Sequence, residues 1–133
     1  MTVIASCHCG NTRIALPEHP RKATRCNCTF CQRTGAVWAY YAIRDIKVLQ
    51  AADQRNYSTD PKVGSHHFCG TCGMHTWGES IDWSAIYNDD GTPRGGEDAP
   101  IPEMTSCQVN LNLVDDLDWS LIEIEPLDGR NGW

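Results

Sequence analysis

Seven of the chain's eight cysteines fall into three short runs: "CHCG" at residues 7–10, "CNCTFC" at 26–31 and "FCGTCG" at 68–73. Cys107 stands apart in "TSCQVN". Cysteines two positions apart, as in Cys7 with Cys9 and Cys26 with Cys28, make poor disulfides, because so short a loop fights the preferred bridge geometry. The same pairs can turn two thiolates toward one metal ion. A glycine directly follows the second cysteine of "CHCG" and of "CGTCG". Glycine tolerates the positive φ of a metal knuckle, in which backbone N–H groups turn toward the sulfurs. Two knuckles supply four thiolates. Cys7, Cys9, Cys69 and Cys72 are therefore expected to form a closed, structural zinc site that ties the N-terminus to the middle of the chain.

"CNCTFC" implies different chemistry. Three thiolates from one short loop can hold one side of a zinc ion and leave a position for substrate, the usual design of catalytic zinc. Thiolates donate strongly and reduce the ion's effective charge, so Cys26, Cys28 and Cys31 suit an incoming thiol better than the activation of water. Spacing leaves two alternatives open. His8, His66, His67, His75 or Cys107 could complete and close the triad, or Cys28 and Cys31 could pair with Cys69 and Cys72 as a ribbon.

The elements that must carry these motifs read as short strands. "NTRIAL" (11–16), "AVWAYYAI" (36–43), "IKVLQ" (46–50) and "VGSHHF" (63–68) are branched, aromatic or alternating. "SCQVNLNLVD" and "SLIEIEPL" alternate in the same way, and "HTWGESIDWSAIYN" is read as strand throughout. "STDP" is a turn, residues 88–103 form a long acidic Gly/Pro loop, and a helix is allowed over 44–53. The sum is a mainly β domain.

With 133 residues, 41% of them hydrophobic, the chain suits one domain with a real core. Its net charge is −6, and zinc on seven thiolates would make it more negative still. Such a surface repels phosphate backbones, so nucleic acid is not an expected partner. No run approaches the roughly 18 apolar residues of a membrane span, and no basic-then-apolar leader opens the sequence. The expected location is the cytoplasm, where dense cysteines point to metal or redox chemistry.

The order "SCHCGNTRIAL … CNCTFCQRTGAVWA … YSTDPKVGSHHFCGTCG" resembles the glutathione-dependent formaldehyde-activating enzyme family, from about Ser6 to Asp116. The resemblance implies an Mss4-like, all-β zinc-binding domain spanning 1–133, with 88–103 as an insertion. It assigns Cys7, Cys9, Cys69 and Cys72 to a structural zinc, and Cys26, Cys28 and Cys31 to a catalytic one. That partition sets the ribbon aside. The implied activity is that of a carbon–sulfur lyase joining glutathione, or a similar thiol, to formaldehyde. Arg33, just past the triad, is the candidate for binding a substrate carboxylate. Two rival readings stand beside this one. The first is a non-catalytic zinc-binding interaction module. The second is a redox enzyme using Cys107, since "SCQVN" resembles the catalytic cysteine segment of methionine sulfoxide reductase B.

Overall fold

The computed structural model describes residues 2–96 and 99–132. Glu97 and Asp98, within the expected loop 88–103, lie outside the described residues, as do Met1 and Trp133. Ten strands dominate, in the order β1 (Val3–Ser6), β2 (Thr12–Leu16), β3 (Lys22–Cys26), β4 (Trp38–Ala42), β5 (Lys47–Ala51), β6 (Gln54–Tyr57), β7 (Gly64–Cys69), β8 (His75–Ile81), β9 (Met104–Asn110) and β10 (Glu123–Leu127). Two short helices, α1 (Thr29–Thr34) and α2 (Gly129–Gly132), interrupt this pattern. The protein is mainly β, as expected.

The strands form two sheets, one in the order β1-β2-β5 and one in the order β10-β3-β4-β9-β8-β7-β6. Every pairing is antiparallel except β10 with β3, which runs parallel over Lys22–Cys26. The core lies between the sheets. Ala5, Ile14 and Leu16 from the small sheet meet Ala39, Trp77, Cys107 and Val109 from the large one. Alternation along β4 and β9 fixes what lies on each face. Ala39 and Tyr41, with Cys107 and Val109, turn toward the core. Trp38 and Tyr40, paired with Asn110 and Gln108, occupy the opposite face. A bulge at His67/Phe68 shifts the β7–β8 register, so that Phe68 pairs with His75.

Several local expectations change. The helix allowed over 44–53 is a single 3₁₀ turn, Ile43–Asp45, followed by β5. "HTWGESIDWSAIYN" is strand only to Ile81, where the Asp82 side chain accepts from the Ser84 N–H and starts another 3₁₀ turn. The "SLIEIEPL" strand begins at Glu123, after a 3₁₀ turn that Asp118 caps in the same way. In the 88–103 loop, Asp90 caps Thr92, and Tyr87 bridges Pro93.

Candidate metal centres

The β1–β2 connection and the β7–β8 connection meet at one end of the molecule, each delivering a cysteine pair. The sulfurs of Cys7, Cys9, Cys69 and Cys72 all lie within 4.8 Å of one another. Cys7 Sγ is 3.7 Å from Cys9 Sγ, and Cys9 Sγ is 3.6 Å from Cys69 Sγ. A tetrahedron with Zn–S bonds of about 2.3 Å has sulfur–sulfur edges of roughly 3.8 Å, so the donors already stand at the spacing zinc requires. Gly10 and Gly73 take φ of 83° and 77°, the left-handed conformation each knuckle demands. The Thr12 N–H donates to Cys7 Sγ at 3.2 Å, spreading thiolate charge into the backbone.

The second cluster joins the end of β3 to α1. Cys26, Cys28 and Cys31 bring their sulfurs within 4.8 Å of one another, and among the described residues no fourth Cys, His, Asp or Glu side chain joins them. His8, His66, His67, His75 and Cys107 all stand outside the cluster. The ribbon partition is likewise not what the fold assembles, because Cys69 and Cys72 lie with Cys7 and Cys9. Local hydrogen bonds shape the loop. Cys28 caps α1, its sulfur accepting from the Cys31 N–H at 3.3 Å, while the Cys28 N–H donates to Cys26 Sγ at 3.4 Å. Gly35, at φ 68°, ends the helix. The buried Trp38 indole N–H donates to Cys31 Sγ at 3.3 Å.

Three thiols this close share charge. Burial, with Cys28 and Cys26 beside it, pushes the Cys31 thiol up to about 12 despite the Trp38 N–H. Burial also acts on Cys28, but the Cys31 N–H and the neighbouring thiols outweigh it and lower that group. A cation that neutralises the cluster favours the thiolate form of all three sulfurs, so its binding releases protons. Each cluster has the donors and spacing to hold a metal ion.

An aromatic wall stands beside the triad. Phe30 stacks on His66 at 4.0 Å between ring centres and meets His75 edge-on at 5.3 Å. Desolvation, with His75 and His67 nearby, lowers the His66 ring to about 4, so it is a neutral imidazole at pH 7. Two residues along β4 from Trp38, desolvation and the thiols of Cys31, Cys26 and Cys28 push the Tyr40 phenol up to about 12.

The other sequence candidates fall elsewhere. Arg33 is exposed in the last turn of α1, and its guanidinium donates to the Thr29 carbonyl at 2.9 Å, back along its own helix. Cys107 is fully buried on the core face, and burial together with Glu79 and Asp45 pushes its thiol up to about 12. It has neither the exposure nor the acidity of a reactive thiol. Sequence reasoning missed the contribution of the C-terminal segment. Asn27, between two triad cysteines, receives an N–H from Arg130 on its side chain, donates its side-chain amide to Asp128 and gives its backbone N–H to Leu127. Arg130 also donates to the Asn27 carbonyl and to Gln32 Oε1. A polar residue between the two cysteines, with no apolar partner to seek, is the one sequence signal for that clamp.

The family model for the glutathione-dependent formaldehyde-activating enzyme matches residues 2–89, which contain both clusters entire. The chain belongs to that family. The matched segment ends ahead of β9 and β10, so the strand behind Tyr40 and the clamp on Asn27 lie beyond it. The fold is also similar to that of a Rhodobacter sphaeroides protein solved by crystallography, with a TM-score of 0.63 and 25% identity, covering 93% of this chain and 98% of that one. No curated protein matches the chain with significance. Among the described residues, no helix is long and apolar enough to cross a membrane.

Proposed function

We propose that this chain is a zinc-dependent carbon–sulfur lyase or synthase acting at Cys26, Cys28 and Cys31. Its substrates are glutathione or a similar thiol and a small aldehyde, or the adduct of the two. The observation that carries this reading is the contrast in ligand number: one cluster reaches four sulfurs and the other stops at three among the described residues. A zinc ion on the triad would supply a Lewis acid with one free position, and a soft three-thiolate set favours a thiol there. Zinc on Cys7, Cys9, Cys69 and Cys72 is structural in this reading. The whole of residues 1–133 forms the working unit, located in the cytoplasm.

The reaction balances without a redox partner. In the synthetic direction the thiol sulfur bonds to the carbonyl carbon, the C=O π bond opens, and the thiol proton ends on the oxygen. The lyase direction is the reverse. Addition of a thiol to an aldehyde is intrinsically easy, so the protein's share is positioning. Tyr40 keeps its O–H at neutral pH and is a hydrogen-bond donor on the triad's face of the sheet. Neutral His66, stacked on Phe30, lines that face without adding charge. The Trp38 N–H holds Cys31 Sγ in place.

Cobalt-substituted protein titrated with glutathione tests the proposal. The visible bands of the three-sulfur site should shift saturably, and the shift should vanish in Cys28→Ser. Bands that stay fixed at high glutathione would sink the reading.

A further inference from the structure

Where β10 runs parallel beside β3, the ends of the two strands and one side of α1 with the turn after it line a groove of about 510 Å³. Clefts of this size hold small organic ligands. Its lining includes Cys26 and Cys31 from the triad, with Arg25, Gln32, Leu127 and Asp128 around them. The groove thus opens onto two of the three proposed metal ligands. Its lining is mixed in charge. Gln32 is engaged by Arg130, and Asp128 accepts from the side-chain amides of Asn27 and Asn131. Arg25 is different. It is exposed on β3 opposite Pro126, and among the described residues its guanidinium has no hydrogen-bond or ion-pair partner.

Building on the thiol chemistry proposed above, we infer that this groove binds a carboxylate-bearing, peptide-like thiol, with Arg25 receiving the carboxylate. A guanidinium presents a planar fork that matches a carboxylate, and a partner-free one gives up no existing bond to bind it. Arg33, the residue that sequence spacing favours, is committed to Thr29 and stands outside the groove. Asp128 narrows the ligand class. A carboxylate on the same wall disfavours a polyanion such as a phosphorylated thiol and suits a molecule with both anionic and cationic ends. Asp128 comes from the C-terminal segment, so this part of the selectivity lies outside the span the family model matches, while Arg25 lies within it.

The test uses full-length, cobalt-substituted protein and two probes, glutathione and its diethyl ester, which lacks free carboxylates. In Arg25→Ala the glutathione midpoint should rise about tenfold, in line with loss of a charge-assisted bidentate contact. The ester midpoint should stay within about twofold, and Arg25→Lys should recover part of the loss. Metal content equal to wild type in both variants shows that the fold is intact. An equal change for both probes, or none for either, overturns the role of Arg25 while leaving the thiol reading standing. If neither probe shifts the wild-type bands, the thiol reading falls and the inference falls with it.

Discussion

The two cysteine clusters use the same donor atom and comparable loops, yet they hold the chain together differently. Cys7, Cys9, Cys69 and Cys72 join segments sixty residues apart, and their shape comes from the two knuckles themselves, through Gly10, Gly73 and the Thr12 N–H. Cys26, Cys28 and Cys31 come from one loop, and that loop is held by its surroundings: Trp38 on one sulfur, Asn27 clamped by Asp128 and Arg130, Cys28 capping α1. Four ligands from two distant hairpins make a staple. Three ligands from one loop make a site that the rest of the fold must keep in shape.

Breaking the staple should have the largest effect. Structural zinc sites carry binding energies of about 10–16 kcal/mol, comparable with the whole stability of a domain. Cys69→Ser should therefore yield insoluble or unfolded protein, read by circular dichroism. Cys28→Ser should instead leave a folded protein that binds one metal ion and has lost its response to thiols. Equal collapse of both variants would erase the proposed division of roles.

Gly78 sharpens the contrast from the sheet side. A Cβ there would stand 2.5 Å from Gln108 Nε2 and 2.8 Å from the Ser65 carbonyl. Gly78→Ala should cost about 1–3 kcal/mol in chemical denaturation with both metals retained. Trp38→Phe keeps most of the packing but removes the N–H donor to Cys31. It should speed chelator extraction of the triad's metal roughly tenfold and leave the four-cysteine site unaffected.

The smallest effect is on acid stability. His66 titrates near 4 in the folded protein, against an ordinary value of 6.5, so the unfolded chain binds the extra proton first. Its contribution is fully present above pH 6.5, falls as the pH drops and is gone below pH 4. His75, also lowered by burial, adds to the same slope. His66→Phe should flatten the melting temperature between those limits relative to wild type, a difference on the order of 1 kcal/mol once solvent screening of the half-buried ring is allowed for.

Much of the fold could be read in advance where a strand has one wet face and one dry face. Alternation in "NTRIAL" and "SCQVN" marks β2 and β9 because a period of two is set by the pleat itself. Strands β1, β3 and β6 gave no such signal. Three of the four residues of β6 are charged or amide, and β3 owes its place to a partner a hundred residues away. Helix α1 was hidden for another reason: Thr29, Phe30 and Cys31 are weak helix formers, and the turn is held by the Cys28 sulfur and Gly35. Spacing marked each cysteine pair and the triad, because ligand spacing is a local property, but it left open which pairs share an ion. The order of motifs that resembles the family set the ribbon aside, and the fold groups the cysteines in that way. Arg25 was not legible, because its groove exists only once β10 lies beside β3.

The parallel strand also sets an order of assembly. A chain made from its N-terminus has all four ligands of the staple as soon as Cys72 has emerged. The loop 26–31 by then carries its three thiols, but the strand and clamp that shape it, Glu123–Arg130, are still unsynthesised. On the ribosome, the staple can close before β10 exists, whereas the triad acquires its final form only after Glu123–Arg130 have been added.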